Sequence, residues 1–363
     1  MEDPAKRGRL DTYLDRHDLA VVWFARPASF AWLTGGSNVV VADDPMGIAA
    51  AGYDGTALTI VTDNIEAERL ADEELPPGTE ISTFEWYDTD LRTAISERTP
   101  QPAAADIEVP GLDRLDPSRL RQPLTENEVI RYRQLGREVA GVVEAACDAA
   151  PGGITERALA AGITGRLADR GIRAPVVLVG TGDRTTRYRH FTPTDATIDD
   201  YALVSVTAER AGLHTSLTRT LVMDAPTSFW DRYEALASIE TAALVATRSA
   251  GTDGGTAAEV FADIQDAYDA VGHEGEWRNH HQGGAAGYAG REWIAKPGYQ
   301  APIQLPMAYA WNPTVPGVKS ENTWLVTEDD VDCLTVGTWG TIDITTPDGT
   351  TTLPHPAPSP AMN

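Results

Sequence analysis

Apolar residues in the first ~120 positions come in short runs separated by polar, Gly- or Pro-containing turns, the pattern of a small α/β domain. Asp3 to Arg16 carries helical spacing. Leu19 to Phe24 (LAVVWF) is an apolar run of strand length, and Arg26-Pro27 turns the chain into Ala31-Trp32-Leu33-Thr34-Gly35-Gly36. Gly47 to Ala51, Leu58 to Thr62 and Ile81 to Trp86 add strands, with a helix over Asn64 to Glu73. The segment Gln101 to Gln122 is Pro-rich and polar, as a connection between domains would be. Thr125-x-x-Glu128 is then a capping-box pattern opening a second domain. Val129, Tyr132, Leu135, Val139, Val142, Val143 and Ala146 follow at helical spacing. Further helices are expected from Ile154 to Asp169, Thr227 to Ala250 and Thr256 to Val271, and a strand over Val176 to Val179. Tyr201 to Leu221 (YALVSVTAERAGLHTSLTRTL) reads as two short strands, Ala202 to Val206 and a run ending at Leu221. The last third is strand- and loop-rich, and its end, LPHPAPSPAMN, has the composition of a mobile tail. The expected division is a domain over 1–118, a linker over 119–124, a larger domain over 125–352 and a tail over 353–363.

Composition narrows the function classes. The 363 residues carry a net charge of −25, and lysine occurs only at Lys6, Lys296 and Lys319. An acidic, lysine-poor surface suits a cytoplasm of high salt, in which carboxylates stay hydrated and screened. It argues against a nucleic-acid groove, which needs clustered Lys and Arg. No stretch approaches 18 apolar residues and the N-terminus lacks an apolar signal region, so a cytoplasmic protein without a membrane partner is expected. Of the two cysteines, Cys147 lies in an Ala/Val-rich helical pattern, which favours buried thiols over a bridge.

Segments in this order resemble the creatinase / Xaa-Pro aminopeptidase (pita-bread) family over nearly the whole chain. Arg9-Leu10 through Trp32-Leu33-Thr34-Gly35 are similar to its N-terminal domain. Pro123 to Glu128 stands where the family opens its catalytic-domain helix. The resemblance implies an α/β (α+β) chain, with a creatinase-like domain followed by a pita-bread domain, a curved antiparallel sheet covered by paired helices. It also implies a homodimer and five metal-ligand positions. Where the family has Asp, Asp, His, Glu and Glu, this chain has Ser205, Ser216, His281, Asn312 and Glu321. Neutral oxygens are weak ligands for hard divalent ions and no bridging carboxylate pair remains. No cofactor is expected; the alternative is a single manganese, cobalt or zinc ion at His281 and Glu321.

Creatinase, one branch of the family, works without metal through a histidine that follows a Gly-containing loop. Here Gly180-Thr181-Gly182-Asp183 leads to His190, whose ordinary pKa of ~6.5 suits proton uptake and release near neutrality. The resemblance therefore makes His190 the expected acid/base. His281 would support it, or be a buried histidine bonded to Glu321, and Glu321 would hold a cationic substrate group. Thr218 stands where creatinase has a further carboxylate. Tyr288 occupies the place of a second family histidine and would donate to an oxyanion or fill space. Ser205, Ser216 and Asn312 are expected to face substrate, although no G-x-S-x-G elbow marks Ser216 as a nucleophile. Arg187, Arg189 and Arg291 read as surface or ion-pair residues. Three functions follow. One is a metal-independent hydrolase acting on a C–N bond of a small amide, amidine or short peptide. The others are an Xaa-Pro-type metallopeptidase with an altered metal site and a catalytically inactive ligand-binding homologue.

Overall fold

The computed structural model of the protein describes residues 3–42 and 44–359. The chain divides into two compact units that part between Gln122 and Pro123, the turn Ala211–Leu213 grouping with the first. In the first unit a six-stranded sheet runs in the order Glu80–Phe84, Leu58–Asp63, Ala49–Tyr53, Val21–Phe24, Ala103–Ala105, Asp113–Arg114. The LAVVWF run supplies a fully buried central strand, Val21–Phe24. Pro27, expected as a turn, instead begins the helix Pro27–Thr34. Its fixed φ suits a first helical position, where a missing N–H costs nothing. The helix expected over 64–73 is broken into Ala67–Arg69 and a π-helical turn, Leu70–Glu74.

The second unit opens with the helix Glu126–Asp148. The Thr125 amide donates to Glu128 Oε2 at 2.8 Å, which satisfies one of the first unpaired donors. Tyr132, Leu135, Val139, Val142, Val143 and Ala146 are all buried along one stripe. At about 1.5–3 kcal/mol for each large apolar side chain, that stripe holds the helix in place more than its intrinsic propensity does. Glu156–Ala168, Thr227–Asp253 and Ala257–Ala270 are its other long helices.

Two antiparallel sheets frame the candidate site. One is three-stranded, Arg173–Thr181, Tyr201–Arg210, Leu213–Val222, and pairs Leu178 with Ser205. The other runs Gly283–Ala286, Met307–Trp311, Trp324–Val326, Val331–Cys333. A tight hairpin pairs Thr314 with Lys319. The two strands of the 201–222 hairpin are ten residues each, longer than the apolar runs suggested. Their polar members are buried too, so polarity does not mark where the strands end. Arg219 explains how: buried in the hairpin, it donates from Nε to Glu144 Oε1 at 2.8 Å and from Nη1 to Asn322 Oδ1 at 3.0 Å.

The tail expectation is corrected over its described part. Thr352–Pro356 is a strand paired with Thr341–Thr345, and His355 within it is buried. Burial deepens along this strand to the consecutive residues His355 and Pro356, which composition does not reveal. Residues 360–363 lie outside the described residues. Both cysteines are buried free thiols. Among the described residues no helix is long and apolar enough to cross a membrane.

Candidate functional site

A cavity of about 380 Å³ opens in the second unit, and His190, Ser205, His214, His281, Arg291, Asn312, Lys319 and Glu321 are among its lining residues. Sequence positions far apart meet here because three elements converge. The strand Tyr201–Arg210 brings Ser205. The loop after Thr181 brings His190, and it is pinned by the buried Glu156 carboxylate, which accepts the Thr181 and Thr194 amides, each at 2.9 Å. The hairpin that pairs Thr314 with Lys319 brings Lys319, and the residues just after it bring Glu321.

Glu321 is buried and engaged on both oxygens. Arg291 donates to Oε1 at 2.8 Å, Lys319 donates to Oε2 at 2.9 Å, and Thr218 Oγ1 reaches Oε2 at 3.3 Å. Burial alone would raise its pKa. The charges of Lys319 and Arg291, and their hydrogen bonds, outweigh burial and hold it at about 2. Two cations around one carboxylate leave this part of the cavity with one positive charge in excess. The expectation that Glu321 receives a cationic substrate group is therefore corrected: the protein's own cations already occupy that carboxylate. His281 forms no bond to Glu321 either. Arg291 belongs to an ion pair, as its sequence context allowed.

His190, His280 and His281 cluster at one side. The Nε2 atoms of His190 and His280 are 3.1 Å apart, and the rings of His280 and His281 stack with centroids 4.4 Å apart. Burial pushes His280 down to about 3, with the charge of Lys319 adding to it. Burial and then the Arg291 charge push His281 down to about 4. His190 is lowered in the same way, by burial first and Lys319 second. All three imidazoles are thus neutral near pH 7. Gln282 fixes the segment of His280 and His281: its Nε2 donates to the His280 carbonyl at 2.7 Å, and the Tyr268 hydroxyl donates to its Oε1 at 3.0 Å.

The remaining expected residues separate. Ser205 lines the cavity and its Oγ lies 2.8 Å from Thr218 Oγ1. Asn312 lines it with a buried Oδ1 that has no hydrogen-bond partner among the described residues. Ser216 is a correction: it is buried behind the wall, 3.0 Å from Thr207 Oγ1, and accepts from Arg291 at 3.3 Å. Tyr288 is another. Its hydroxyl donates to Glu128 Oε1 at 2.7 Å and accepts from Arg131 at 2.6 Å, so it braces the helix Glu126–Asp148 instead of facing substrate. Sequence reasoning missed the roles of Lys319 and His280, and did not single out His214, which lines the cavity. Lys319 carried a signal, being one of only three lysines and standing two positions before Glu321 in extended backbone.

A dinuclear metal centre does not fit these residues. Its one carboxylate is held by Lys319 and Arg291, and the serine hydroxyls at the two aspartate positions bond to threonines. A cation on Glu321 would have to displace an ammonium and a guanidinium.

Residues 131–328, more than half of the chain, match the profile of metallopeptidase family M24. No curated protein sequence matches. Among solved structures, the prolidase from Pyrococcus horikoshii OT3 aligns with a TM-score of 0.74 and 18% identity, covering 92% of this chain and 98% of that one. The prolidase from Pyrococcus furiosus aligns with a TM-score of 0.72 and 19% identity, covering 90% and 98%. The N-terminal domain of the FACT complex subunit SPT16 from Cicer arietinum (chickpea) aligns with a TM-score of 0.63 and 15% identity, covering 91% and 96%. At these identities the likenesses establish the fold, and one fold serves unrelated functions. Profile and fold agree: the chain belongs to metallopeptidase family M24, the creatinase or pita-bread family.

Proposed function

We propose that the protein is a metal-independent hydrolase that cleaves a C–N bond in a small amide or short peptide bearing an anionic group. The observation that carries this reading is the placement of Lys319 and Arg291 on the two oxygens of Glu321. The excess positive charge favours a carboxylate over an amidinium, which moves the substrate class away from creatine-like cations. His190, neutral and facing the cavity, would take a proton from a water molecule as its oxygen attacks the carbonyl carbon. It would return that proton to the departing nitrogen as the C–N bond breaks. Lys319 is placed to favour negative charge developing on the carbonyl oxygen.

The test is turnover of a panel of dipeptides, each with a free and an amidated C-terminus, with a strong chelator present. Cleavage that survives chelation and prefers the free carboxylate is the expected result. Cleavage abolished by the chelator and restored by manganese would sink the proposal and favour a metallopeptidase with an altered site. A second reading, ligand binding without turnover, is favoured by one observation. The Ser205 and Ser216 hydroxyls lie against threonines and neither bonds a histidine, so no side-chain nucleophile is activated. Thermal stabilisation by carboxylate ligands without cleavage of any panel member would establish it.

A further inference from the structure

We propose that His190, His280 and His281 form an all-histidine mononuclear site for a late first-row divalent cation such as Zn²⁺ or Ni²⁺, sharing only His281 with the five positions of the family and using none of its carboxylates. Each of the three offers a ring nitrogen, and these atoms lie within 4.8 Å of one another. His280 is only 8% exposed, and its Nδ1 is buried without a hydrogen-bond partner among the described residues. A neutral imidazole carries its proton on one nitrogen, so a proton on this Nδ1 leaves Nε2, on the other edge of the His280 ring, as the donor to an ion. The 3.1 Å contact between the His190 and His280 Nε2 atoms needs a proton on one of them, and a cation can replace that proton as the bridge. His190 and His281 are exposed and line the cavity, which gives an ion a path in.

The donor set selects the ion. Three neutral imidazoles suit zinc, nickel or copper, whereas magnesium, calcium and manganese favour oxygen ligands. Three histidines with an open side also match the ligand count of a site that keeps one position for a water or another small ligand. The nearby Lys319 and Arg291 charges lower the affinity for any cation, and Glu321, 2.9 Å from one and 2.8 Å from the other, offsets one of the two. Gln282 and Tyr268 hold the segment of His280 and His281, and Glu156 holds the loop of His190, so both carriers of the imidazoles are fixed independently of the ion. Binding does not depend on the hydrolase reading. One consequence does rest on it: an ion held by His190 would occupy the proposed base, so cation binding and turnover exclude each other.

The experiment is calorimetric titration of the whole chain with Zn²⁺ and with Ni²⁺ near pH 7, with magnesium in large excess to occupy surface carboxylates. Cys147 and Cys333 do not compete, since both are buried and each thiol is pushed up to about 12, by burial first. One ion per chain is expected, with affinity weakened at least about tenfold in His280→Ala, since even outer-sphere changes at metal sites cost 10- to 100-fold. His190→Ala, a change at an exposed position, must give the same loss, and it decides the matter if His280→Ala does not fold. No binding would make the cluster a hydrogen-bonded histidine pair and overturn the proposal. So would binding that is unchanged in both variants. Because the readout is heat and stoichiometry, its failure is distinct from a failure to find turnover.

Discussion

Lys319 and Glu321 stand two residues apart, and their charged groups meet at 2.9 Å on one face of an extended segment. The period of two in extended backbone sends the intervening and following side chains the other way. The side chains of Ser320 and Trp324, through Oγ and Nε1, donate to the carboxylate of Glu240 on the helix Thr227–Asp253, and the backbone N–H of Asn322 joins them. One segment therefore carries a buried ionic network toward the cavity and a second network toward the helix behind it.

Removing Glu321 should expose what that arrangement costs. Glu321→Gln leaves Lys319 and Arg291 buried against an amide, and breaking a buried pair from one side typically costs about 3–5 kcal/mol. A clear drop in the urea midpoint is expected, with unchanged slope. A midpoint equal to that of the wild type would mean that solvent screens the network and that it is not structural.

Acid should act on the site in two stages. His280 and His281 sit at about 3 and about 4 against an ordinary 6.5. The unfolded chain therefore binds protons that the fold refuses, and stability is full above pH 6.5 and falls as pH drops toward 4. Glu321 adds a later loss. It sits at about 2 against an ordinary 4.5, so its contribution is complete above pH 4.5 and disappears as pH falls toward 2. His355, lowered by burial to about 3, adds to the first stage from outside the cavity. Urea midpoints measured from pH 7 to pH 4.5 should decline, and the double variant His280→Asn, His281→Asn should show a shallower decline. Equal slopes would remove these two histidines from the account.

Much of this was legible in the sequence, for definite reasons. The stripe from Tyr132 to Ala146 announced its helix because a single face is buried, and the order of short motifs pointed to the M24 fold. His190, His281 and Glu321 were recognised as pocket positions from that order. What Glu321 does was not legible, because its neighbours at Lys319 and Arg291 reverse its electrostatic meaning and Arg291 is distant in the chain. Tyr288 was misread for a related reason. A motif position fixes where a residue falls along the chain, but its hydroxyl turns toward Glu128 and Arg131, a helix more than 150 residues earlier. The strand Thr352–Pro356 was hidden by proline-rich composition.

Tyr288→Phe separates bracing from substrate contact. It removes a hydroxyl that bonds to both Glu128 and Arg131, a loss of about 1–3 kcal/mol for partners left buried. The expected outcome is reduced thermal stability with unchanged affinity for any ligand of the cavity. Weaker ligand binding at unaltered stability would return Tyr288 to the site.

Gly283 follows the histidine loop at a φ of +94°, and a Cβ there would lie 2.1 Å from the Ala310 carbonyl oxygen. Backbone, not a mobile side chain, blocks the space, and the conformation itself disfavours an L side chain. Gly283→Ala should therefore cost about 3 kcal/mol or more, the upper range for overpacking, and disturb the pairing of Gly283 with Trp311. Hydrogen exchange across residues 279–286 would register the change. Protection equal to wild type would mean that the neighbouring strand shifts without penalty.

Salt should stabilise the chain as a whole. A net charge of −25 repels itself in the folded state more than in the expanded one, because folding brings the carboxylates closer together. Screening length falls from about 10 Å at 0.1 M to about 3 Å at 1 M, so most of that repulsion is removed within this range. Melting temperature should climb with potassium chloride up to about 1 M and then flatten, since screening is then complete. The Lys319–Glu321–Arg291 network is buried and should contribute little to the trend, so Glu321→Gln should show the same rise from a lower start. A melting temperature that is flat or falls with salt would end the salt-adaptation reading. A rise missing from Glu321→Gln alone would place the salt response in the cavity instead of on the surface.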